Sequence, residues 1–398
     1  MEVCRVCESK NVVPIFDAGL QPISNRFVHA QGDPEAMFPL KLNLCRDCAM
    51  PQLAEVFPVE ELKPRVDWIT YNEPEDHLDK MVDTLAGLPG LSADSLILGV
   101  SFKDDSTLRR FEKKGFTRTI RIDPSAHLGI MDKKAGVETL QYVINAATMR
   151  PLASRIEKSS LIIVRHVLEH AYNLREFLEG MKELMAAGAY LVVEVPDCSR
   201  AIARFDYTTL WEEHVVYFSA ATLRRCFEES GFQVSYFMVY PYAFEDSLVC
   251  VAQLRTGSLP AKKENVDTAL SDALRFAQEF KAQGERIRSF IKGCRSARGK
   301  VAMFGAGHLA CAYINLFGLK GMVDFVVDDN TNKKGLFMPG SQLPILGSQA
   351  LLEKGIRVCL LALNPMSEDK VVERNRGFIK QGGEFFSIFG ASRWAFKV

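Results

Sequence analysis

The sequence lacks a charge excess of either sign. Its 49 Lys and Arg residues equal its 49 Asp and Glu residues, so the formal net charge is +0, and it contains no long basic run. This balance argues against nucleic acid or an anionic membrane surface as the main partner. No apolar stretch reaches membrane-spanning length, and the start, Met1 to Cys4, has no feature of a signal peptide. We therefore predict a cytoplasmic protein.

The size and composition predict several globular domains. A chain of 398 residues is too long for one ordinary hydrophobic core, and 47% hydrophobic with 25% charged residues is typical of globular proteins. Since disulfides are rare in the cytoplasm, the ten cysteines need not be paired with one another.

Four of the cysteines form two knuckles, Cys4-x-x-Cys7 and Cys45-x-x-Cys48. Tetrahedral zinc sites use thiolate pairs of this kind, each on a tight turn. A site closed by four thiolates has no open position for a reacting water, so we predict a structural zinc ion. The gap between the knuckles is long and includes the turn-rich segment LQPISNRF, which carries Asn25. The remaining six cysteines are best explained as small buried residues.

Residues 96–123, after the zinc module, have the strands and helix of a nucleotide-binding unit. The glycine-rich loop that such a unit usually contains is missing. We predict a strand over Leu96–Val100, a helix over Ser106–Lys114 and a strand over Thr119–Ile122 that ends in the acid Asp123. This order is typical of Rossmann-like domains, in which such an acid binds ribose hydroxyls. Only Gly99 stands near the turn. The topology favours a nucleotide or S-adenosylmethionine site, whereas the loop chemistry departs from the usual pattern.

Two buried strands, LIIV and YLVVEV, surround a predicted helix between residues 161 and 195, and polar side chains follow each strand. Arg165 and His166 follow the first strand, at the edge of the sheet where α/β proteins bind ligands. Glu213 and His214 follow in the segment WEEHVVYFS, where a carboxylate and an imidazole could remove a proton from a substrate. The alternative is a surface cluster of acids and a histidine.

Between these regions, the segment VDWITYNEPEDHLD is rich in polar and aromatic residues, including Tyr71. This density is unusual for a plain linker and suggests a functional role. The alternative is the start of a solvated helix, capped by Asn72 with Pro74 in the first turn.

A second Rossmann-like unit begins near residue 299. A strand over Val301–Phe304 leads into Gly305-x-Gly307-x-x-Ala310, and a later strand ends at Asn364. This turn binds phosphate in many proteins, but it also serves strand–helix packing alone. We predict four regions: a zinc-binding module (1–62), a Rossmann-like domain (63–256), a connecting helix (257–298) and a C-terminal Rossmann-like lobe (299–398).

With these motifs in order, the chain resembles the zinc-containing sugar C-methyltransferases, which act on nucleotide-linked keto-deoxysugars. The resemblance covers nearly the whole chain and is carried by CRVC, CRDC, LQPISNRF, RHVLEH, EVPD, EEHVVYFS and VDDNTNKKGLFMPGSQLPI. It implies an α/β fold with an N-terminal zinc module, a central class I methyltransferase domain and a C-terminal lobe that helps to hold the sugar nucleotide. It also implies S-adenosylmethionine and structural zinc as cofactors.

The family's reaction implies roles for individual residues. A base removes the proton beside the 4-keto group, and the resulting enolate attacks the methyl group of S-adenosylmethionine. By match to the family pattern, His214 is the base, Glu213 orients its imidazole, and Tyr71 lies near the enolate oxygen. We expect cofactor contacts from Gly99, Ser101, Asp104, Asp123, Arg165 and His166. We expect substrate contacts from Asn25, Trp211, Asn315 and Asn364.

The chain departs from the family pattern at the ligand sites more than in the framework. Ser101 and Asp105 replace two glycines of the cofactor loop, and a carboxylate at 105 could repel the cofactor's own carboxylate. Trp211 replaces a tyrosine, and Phe244-Glu245 begins a turn that has lost a histidine and a cation. These departures leave two alternatives to methyl transfer: an isomerase or epimerase that only enolises a keto-sugar nucleotide, and a non-catalytic binding partner.

Overall fold

The computed structural model describes residues 3–69, 73–132, 134–257 and 264–396. Within these residues the chain forms three β-sheets with helices packed against them, and the fold class is the predicted α/β. In the same ranges, no helix combines the length and the apolar character needed to cross a membrane.

The first sheet belongs to the N-terminal module. Its elements are β1 (Val12–Pro22), β2 (Met37–Cys45), β3 (Pro51–Leu53) and the short helix α1 (Val59–Leu62). The strands are antiparallel and lie in the order β1-β2-β3.

The four knuckle cysteines come together beside this sheet. Sγ of Cys4 lies 3.5 Å from Sγ of Cys48, and Sγ of Cys7 lies 3.6 Å from Sγ of Cys45. All four sulfur atoms lie within 4.8 Å of one another, and each cysteine is free of disulfide bonds. This donor set and spacing fit a tetrahedral structural zinc ion, as the sequence predicts.

The second sheet forms the core of the central domain. The elements in chain order are α2 (Leu78–Ala86), β4 (Ile97–Gly99), α3 (Asp105–Lys113), β5 (Thr119–Arg121), α4 (Pro124–Leu128), α5 (Val137–Val143), α6 (Ala146–Ala153), β6 (Ser159–Arg165), α7 (Leu174–Leu184), β7 (Met185–Asp197), α8 (Ser199–Ala203), α9 (Ala220–Glu229), β8 (Phe232–Tyr240) and β9 (Asp246–Leu254). Short 3-10 turns lie at Phe102–Asp104, Leu168–His170 and Tyr207–Thr209.

The six strands of this sheet lie in the order β5-β4-β6-β7-β9-β8, with β5, β4, β6 and β7 parallel and β9 antiparallel to both of its neighbours. Strand β6 is apolar throughout its centre because both faces of the sheet are covered. Leu161 and Ile163 pack in one core cluster, while Ile162 and Val164 pack in another. The carboxyl ends of β4, β6 and β7 therefore meet at one edge.

The third sheet belongs to the C-terminal lobe. Its elements, with the long helix before it, are α10 (Asp267–Arg298), β10 (Val301–Phe304), α11 (His308–Leu316), β11 (Phe325–Val327), β12 (Ile345–Leu346), α12 (Ala350–Glu353), β13 (Val358–Leu361), α13 (Pro365–Arg374), α14 (Arg376–Lys380) and β14 (Glu384–Ser387). All strands are parallel, in the order β12-β11-β10-β13-β14.

The glycine turn after β10 is shaped by packing. Gly305 has a φ of +103°, and a Cβ atom there would lie 2.6 Å from the carbonyl oxygen of Ala362. Ala306 donates its backbone N–H to Asp328, 2.9 Å away. At Gly305 the structure therefore supports the packing explanation of the turn.

One hydrophobic cluster joins the three parts of the chain. It includes Leu42 from the N-terminal sheet, Tyr207 and Tyr217 from the segment around His214, Phe276 from α10 and Met303 from β10. The predicted connecting helix α10 is thus also a packing element.

The N-terminal module also hydrogen-bonds to the segment that follows His214. Leu53 of β3 donates its N–H to the carbonyl of Val215 (2.8 Å), and Tyr217 donates to the carbonyl of Pro51 (3.0 Å). The loop between Cys48 and β3 is only two residues long, so the cysteine cluster and this contact are closely linked. Zinc therefore helps to fix the segment after His214.

Replacing Cys48 with Ser tests this linkage. We expect the variant to lose the single zinc ion per chain and to unfold at a lower temperature, since zinc binding to a four-thiolate site contributes folding free energy directly. Zinc content by elemental mass spectrometry and thermal unfolding measure the two effects. Cys294→Ser, outside the cluster, is the matched control and should keep its zinc. Full zinc content in Cys48→Ser would contradict the assignment.

Candidate active site

A cavity of about 570 Å³ opens where the carboxyl ends of β6 and β7 face the N-terminal module and the C-terminal lobe. Its volume is in the range of small-molecule sites. Six of the predicted site residues line it: Asn25, His166, Trp211, Glu213, His214 and Asn364. Tyr71, the predicted donor near the enolate oxygen, lies outside the described residues.

A buried ion pair fixes the wall of this cavity. Nε of Arg165 donates to Glu194, 2.5 Å away, and both residues are at most 1% exposed. Ser247 of β9 donates to the other oxygen of Glu194 (2.7 Å), and Arg165 also donates to the carbonyl of Lys103 (2.7 Å). Arg165 was predicted to contact the cofactor, but the structure uses its guanidinium to tie together β6, β7 and the loop after β4.

His166 is a cation within the wall. Its φ of +52° is unusual for a non-glycine residue and turns the chain sharply at the end of β6. Burial alone would lower its pKa, but the carboxylates of Glu73, Glu169 and Glu194 raise the pKa of His166 to about 10. Its Nδ1 lies 3.5 Å from Glu169, and its Nε2 lies 3.3 Å from Glu194.

His214 is a neutral imidazole in the cavity. Its ring lies against the rings of His170 (4.9 Å between centroids) and Trp211 (5.0 Å). Burial, followed by the nearby charges of His170 and His308, lowers the pKa of His214 well below its usual value. A neutral histidine can accept a proton from a substrate.

The acids beside His214 have different roles. Glu212 accepts hydrogen bonds from the backbone N–H (2.6 Å) and the hydroxyl (2.8 Å) of Ser24. It therefore joins the segment of His214 to the N-terminal module. Burial, and then repulsion by Glu138, raises the pKa of Glu213 well above its usual value. Among the described residues, Oε1 of Glu213 has no hydrogen-bond partner and its carboxyl does not bond to the His214 imidazole.

The loop after β4 holds its shape without the missing glycines. Asp104 is fully buried and accepts the backbone N–H groups of Val100, Ser101 and Arg165 at 2.8 to 3.0 Å. Its burial raises the pKa of Asp104 to about 7. The hydroxyl of Ser101 accepts from the N–H of Lys103. Gly99 is needed for packing, because a Cβ atom there would lie 2.9 Å from Cβ of Asp104.

Two further acids of this region have partners on or next to β5. Asp105 pairs with Arg121 at 3.1 Å, which offsets the repulsion that the sequence suggests at this position. Asp123 follows β5 as predicted, and one of its carboxylate oxygens accepts the N–H of Ala126 at 2.7 Å as the N-cap of α4.

Asn315, a predicted substrate residue, does not line the cavity. Its amide donates to the carbonyls of Cys311 (2.9 Å) and Pro339 (3.0 Å) within the C-terminal lobe. Conversely, sequence reasoning missed three residues that do line the cavity: Lys103, Glu138 and His308. His308 directly follows Gly307, so its place in the glycine turn could have indicated a role at the site. No local pattern indicated Glu138, because the residues that it meets in the cavity are distant in sequence.

The cavity fits S-adenosylmethionine. It lies beside the loop after β4 and the end of β6, where a Rossmann-like domain binds its ligand. Its carboxyl oxygens Oε2 of Glu138, Oε2 of Glu169 and Oε1 of Glu213 are buried without a hydrogen-bond partner in the described ranges. Buried acceptor oxygens without partners favour a ligand that brings hydrogen-bond donors or a positive charge, and the sulfonium group of S-adenosylmethionine carries such a charge.

Three protein-family models match the chain in order. A zinc binding domain model matches residues 4–62, a methyltransferase domain model matches residues 96–236, and a C-methyltransferase C-terminal domain model matches residues 261–389. The curated relative C-methyltransferase NovU from Streptomyces niveus is 25% identical over 400 residues, which cover 97% of this chain and 94% of NovU.

Solved methyltransferase structures resemble a little under half of the chain at low similarity. Magnesium protoporphyrin IX methyltransferase from Synechocystis PCC 6803, with bound S-adenosylhomocysteine, is 14% identical with a TM-score of 0.31, over 45% of this chain and 81% of that one. An N1-methyltransferase from Burkholderia thailandensis is 11% identical with a TM-score of 0.29, over 44% and 76%.

The family matches and the full-length relative agree with the zinc cluster and the cavity described above. The chain is therefore an S-adenosylmethionine-dependent C-methyltransferase with an N-terminal zinc-binding domain.

Proposed function

We propose that this C-methyltransferase methylates a nucleotide-linked keto-sugar at the carbon beside its keto group, through an enolate. The observation that carries the proposal is His214, a neutral imidazole in a cavity where the three parts of the chain meet. Carbon methylation requires that a proton first leave a carbon atom, and a carbonyl group beside that carbon makes this removal feasible.

The proton is taken by the Nε2 atom of His214 in this proposal. Its neutral state at neutral pH and its position in the cavity support this role. The developing enolate oxygen needs a hydrogen-bond donor or a cation nearby. Lys103, whose Nζ lies 2.8 Å from Glu73, and the cationic His166 are the candidates in the described cavity wall.

S-adenosylmethionine supplies an electrophilic methyl group when bound. Asp123 at the end of β5 would hold its ribose, as acids at this position do in Rossmann-like domains. Phe102 and Lys103, which line the cavity, would contact its methionine part, while Glu138 and Glu169 favour its positive charge. The sugar nucleotide would extend toward Asn25 of the N-terminal module and Asn364 of the C-terminal lobe, which both line the cavity.

The alternative reactions are not favoured. An isomerase that only enolises its substrate would not need the methyltransferase domain, and a binding partner would not need His214. Two of the three family models, and NovU, are of the methyltransferase type. The substituted cofactor loop, which suggested a loss of methyl transfer, is internally hydrogen-bonded through Asp104.

Replacing His214 with Ala tests the base. We expect methyl transfer to a nucleotide-linked 4-keto-6-deoxysugar to fall by about 100-fold or more, as for loss of a general base, with unchanged binding of S-adenosylmethionine. Transfer of a radiolabelled methyl group and calorimetric titration measure the two properties. The exposed His29, replaced with Ala, is the control. Wild-type turnover in His214→Ala would contradict the proposal.

The pH dependence gives a second test. His214 accepts a proton only while it is neutral, so activity is present above its pKa and is lost as the pH falls through it. Since its pKa is lowered, we expect kcat/KM to stay constant as the pH falls through about 6.5, the usual histidine value, and to decline only at lower pH. A pH profile of kcat/KM, with folding monitored at each pH, measures this. A midpoint at or above the usual value would be inconsistent with His214 as base.

Replacing Asp123 with Asn tests the cofactor site. The amide oxygen can still cap α4, but the negative charge is lost. We expect S-adenosylmethionine to bind about tenfold more weakly, the effect of one lost charge-assisted hydrogen bond, with unchanged thermal unfolding. Calorimetric titration checks the affinity, with Asp83→Asn on the surface of α2 as control. Equal affinities for both variants would place the ribose elsewhere.

A further inference from the structure

We infer that Glu169 is the positioning residue for His214: its carboxylate accepts the Nδ1–H of the imidazole and stabilises the charge that the ring gains. The family resemblance assigns this task to Glu213, whereas the geometry points to Glu169. The inference rests on the proposed function, because it assumes that His214 is the base.

The unpartnered atoms of the site carry the inference. Glu169 is 2% exposed, and its Oε2 is buried without a hydrogen-bond partner; Nδ1 of His214 is also buried and unpartnered within the described chain. One side-chain ligand atom from each of Glu169, His170 and His214 lies within 4.8 Å of the other two. The two side chains are therefore neighbours, and a buried donor and a buried acceptor that lie close to each other favour bonding to each other.

The backbone holds Glu169 beside the loop of His214. The carbonyl of Glu169 accepts the N–H groups of Val215 (2.8 Å) and Val216 (3.3 Å), the residues that directly follow His214. Nδ1 of His170 donates to the carbonyl of Glu213 at 2.9 Å, since a carbonyl can only accept. The 3-10 turn after β6 and the loop of His214 therefore form one hydrogen-bonded unit.

The charges around His214 make a nearby carboxylate necessary. Positive or protonatable groups face the ring from several elements: His170 and His166 from the segment after β6, His308 from α11 and Lys103 from the loop after β4. Acids also lie near the ring: Glu169 in space, Glu212 and Glu213 as its neighbours in sequence, and Glu138, which faces Glu213 in the same cavity. The cations among these groups, His166 and Lys103, oppose protonation of the base, and a nearby carboxylate offsets their charge.

Of these acids, only Glu169 is free to act as the partner. Glu212 is bound to Ser24, and burial with repulsion by Glu138 favours the neutral form of Glu213. The cationic His166 lies 3.5 Å from Oε1 of Glu169, which favours a charged carboxylate and leaves Oε2 for His214.

The same three residues could instead bind a divalent cation through two imidazoles and one carboxylate. The structure favours the proton role, because a divalent cation at Glu169 would stand next to the positive charge of His166. A metal site is therefore an outcome that the experiment must be able to detect.

The tautomer of His214 in the wild-type protein is the first test, and it does not depend on any variant folding. In ¹⁵N-histidine NMR spectra, with the His214 signal assigned by its loss in His214→Ala, we expect the proton on Nδ1. A neutral ring with its proton on Nε2 would overturn the inference.

Replacing Glu169 with Gln is the second test, with Glu169→Asp as the conservative variant and Glu176→Gln on the exposed side of α7 as control. We expect Glu169→Gln to lower kcat about 100-fold at saturating S-adenosylmethionine, as loss of an orienting partner does, with the KM of the sugar nucleotide unchanged. Calorimetric titration measures separately the cofactor affinity, to which Glu169 also contributes. The acid limb of the pH profile of Glu169→Gln should move to lower pH, because the variant lacks a negative charge beside the base. Glu169→Asp should recover part of the rate.

The remaining outcomes separate the two proposals. Wild-type kcat in Glu169→Gln together with an inactive His214→Ala would overturn only the role of Glu169. Wild-type turnover in His214→Ala would overturn the proposed base as well. A second metal ion per chain, present in the wild type and lost in Glu169→Gln, would replace the positioning role with a cation site.

Discussion

The ion pair between Arg165 and Glu194 is the interaction on which the site depends. Both charges are removed from water, which is costly unless each is paired and hydrogen-bonded. Arg165 is paired with Glu194 and bonded to the carbonyl of Lys103, and Glu194 also accepts from Ser247. Removal of one partner from such a pair costs about 3–5 kcal/mol. The pair thus joins β6, β7, β9 and the loop after β4 at the edge that forms the cavity wall.

A second constraint comes from outside the methyltransferase domain. The N-terminal module bonds to the segment around His214 through β3 and through Ser24. Two residues separate the last cysteine of the zinc cluster from β3, so the cluster supports the segment that carries His214. The hydrophobic cluster shared by all three parts adds a further reason for them to remain together. The architecture explains why a structural zinc module is combined with a methyltransferase domain.

Local patterns in the sequence were sufficient for the elements of the fold. The predicted strand Val301–Phe304 is β10 without change, and the predicted strand–loop–helix–strand near residue 100 is present with its terminal acid at Asp123. The knuckles of Cys4 and Cys45 meet as expected. These features depend on periodicity, spacing and residue type over a few residues, and the chemistry of thiolates and of buried strands decides them in nearly any context.

The partners of the polar side chains were decided only by the tertiary structure. The sequence placed Arg165, Asp104 and Asn315 near ligands, but each binds within the protein, whereas Glu138 and His308 reach the cavity without a predicted role. Glu212 bonds to Ser24, 188 positions away, so it is not available to the imidazole of His214 although it lies only two positions from it. A residue's type shows what it can bind, but a buried polar group binds the partner that packing brings within about 3 Å. That partner is set by contacts between distant segments, which no local pattern contains.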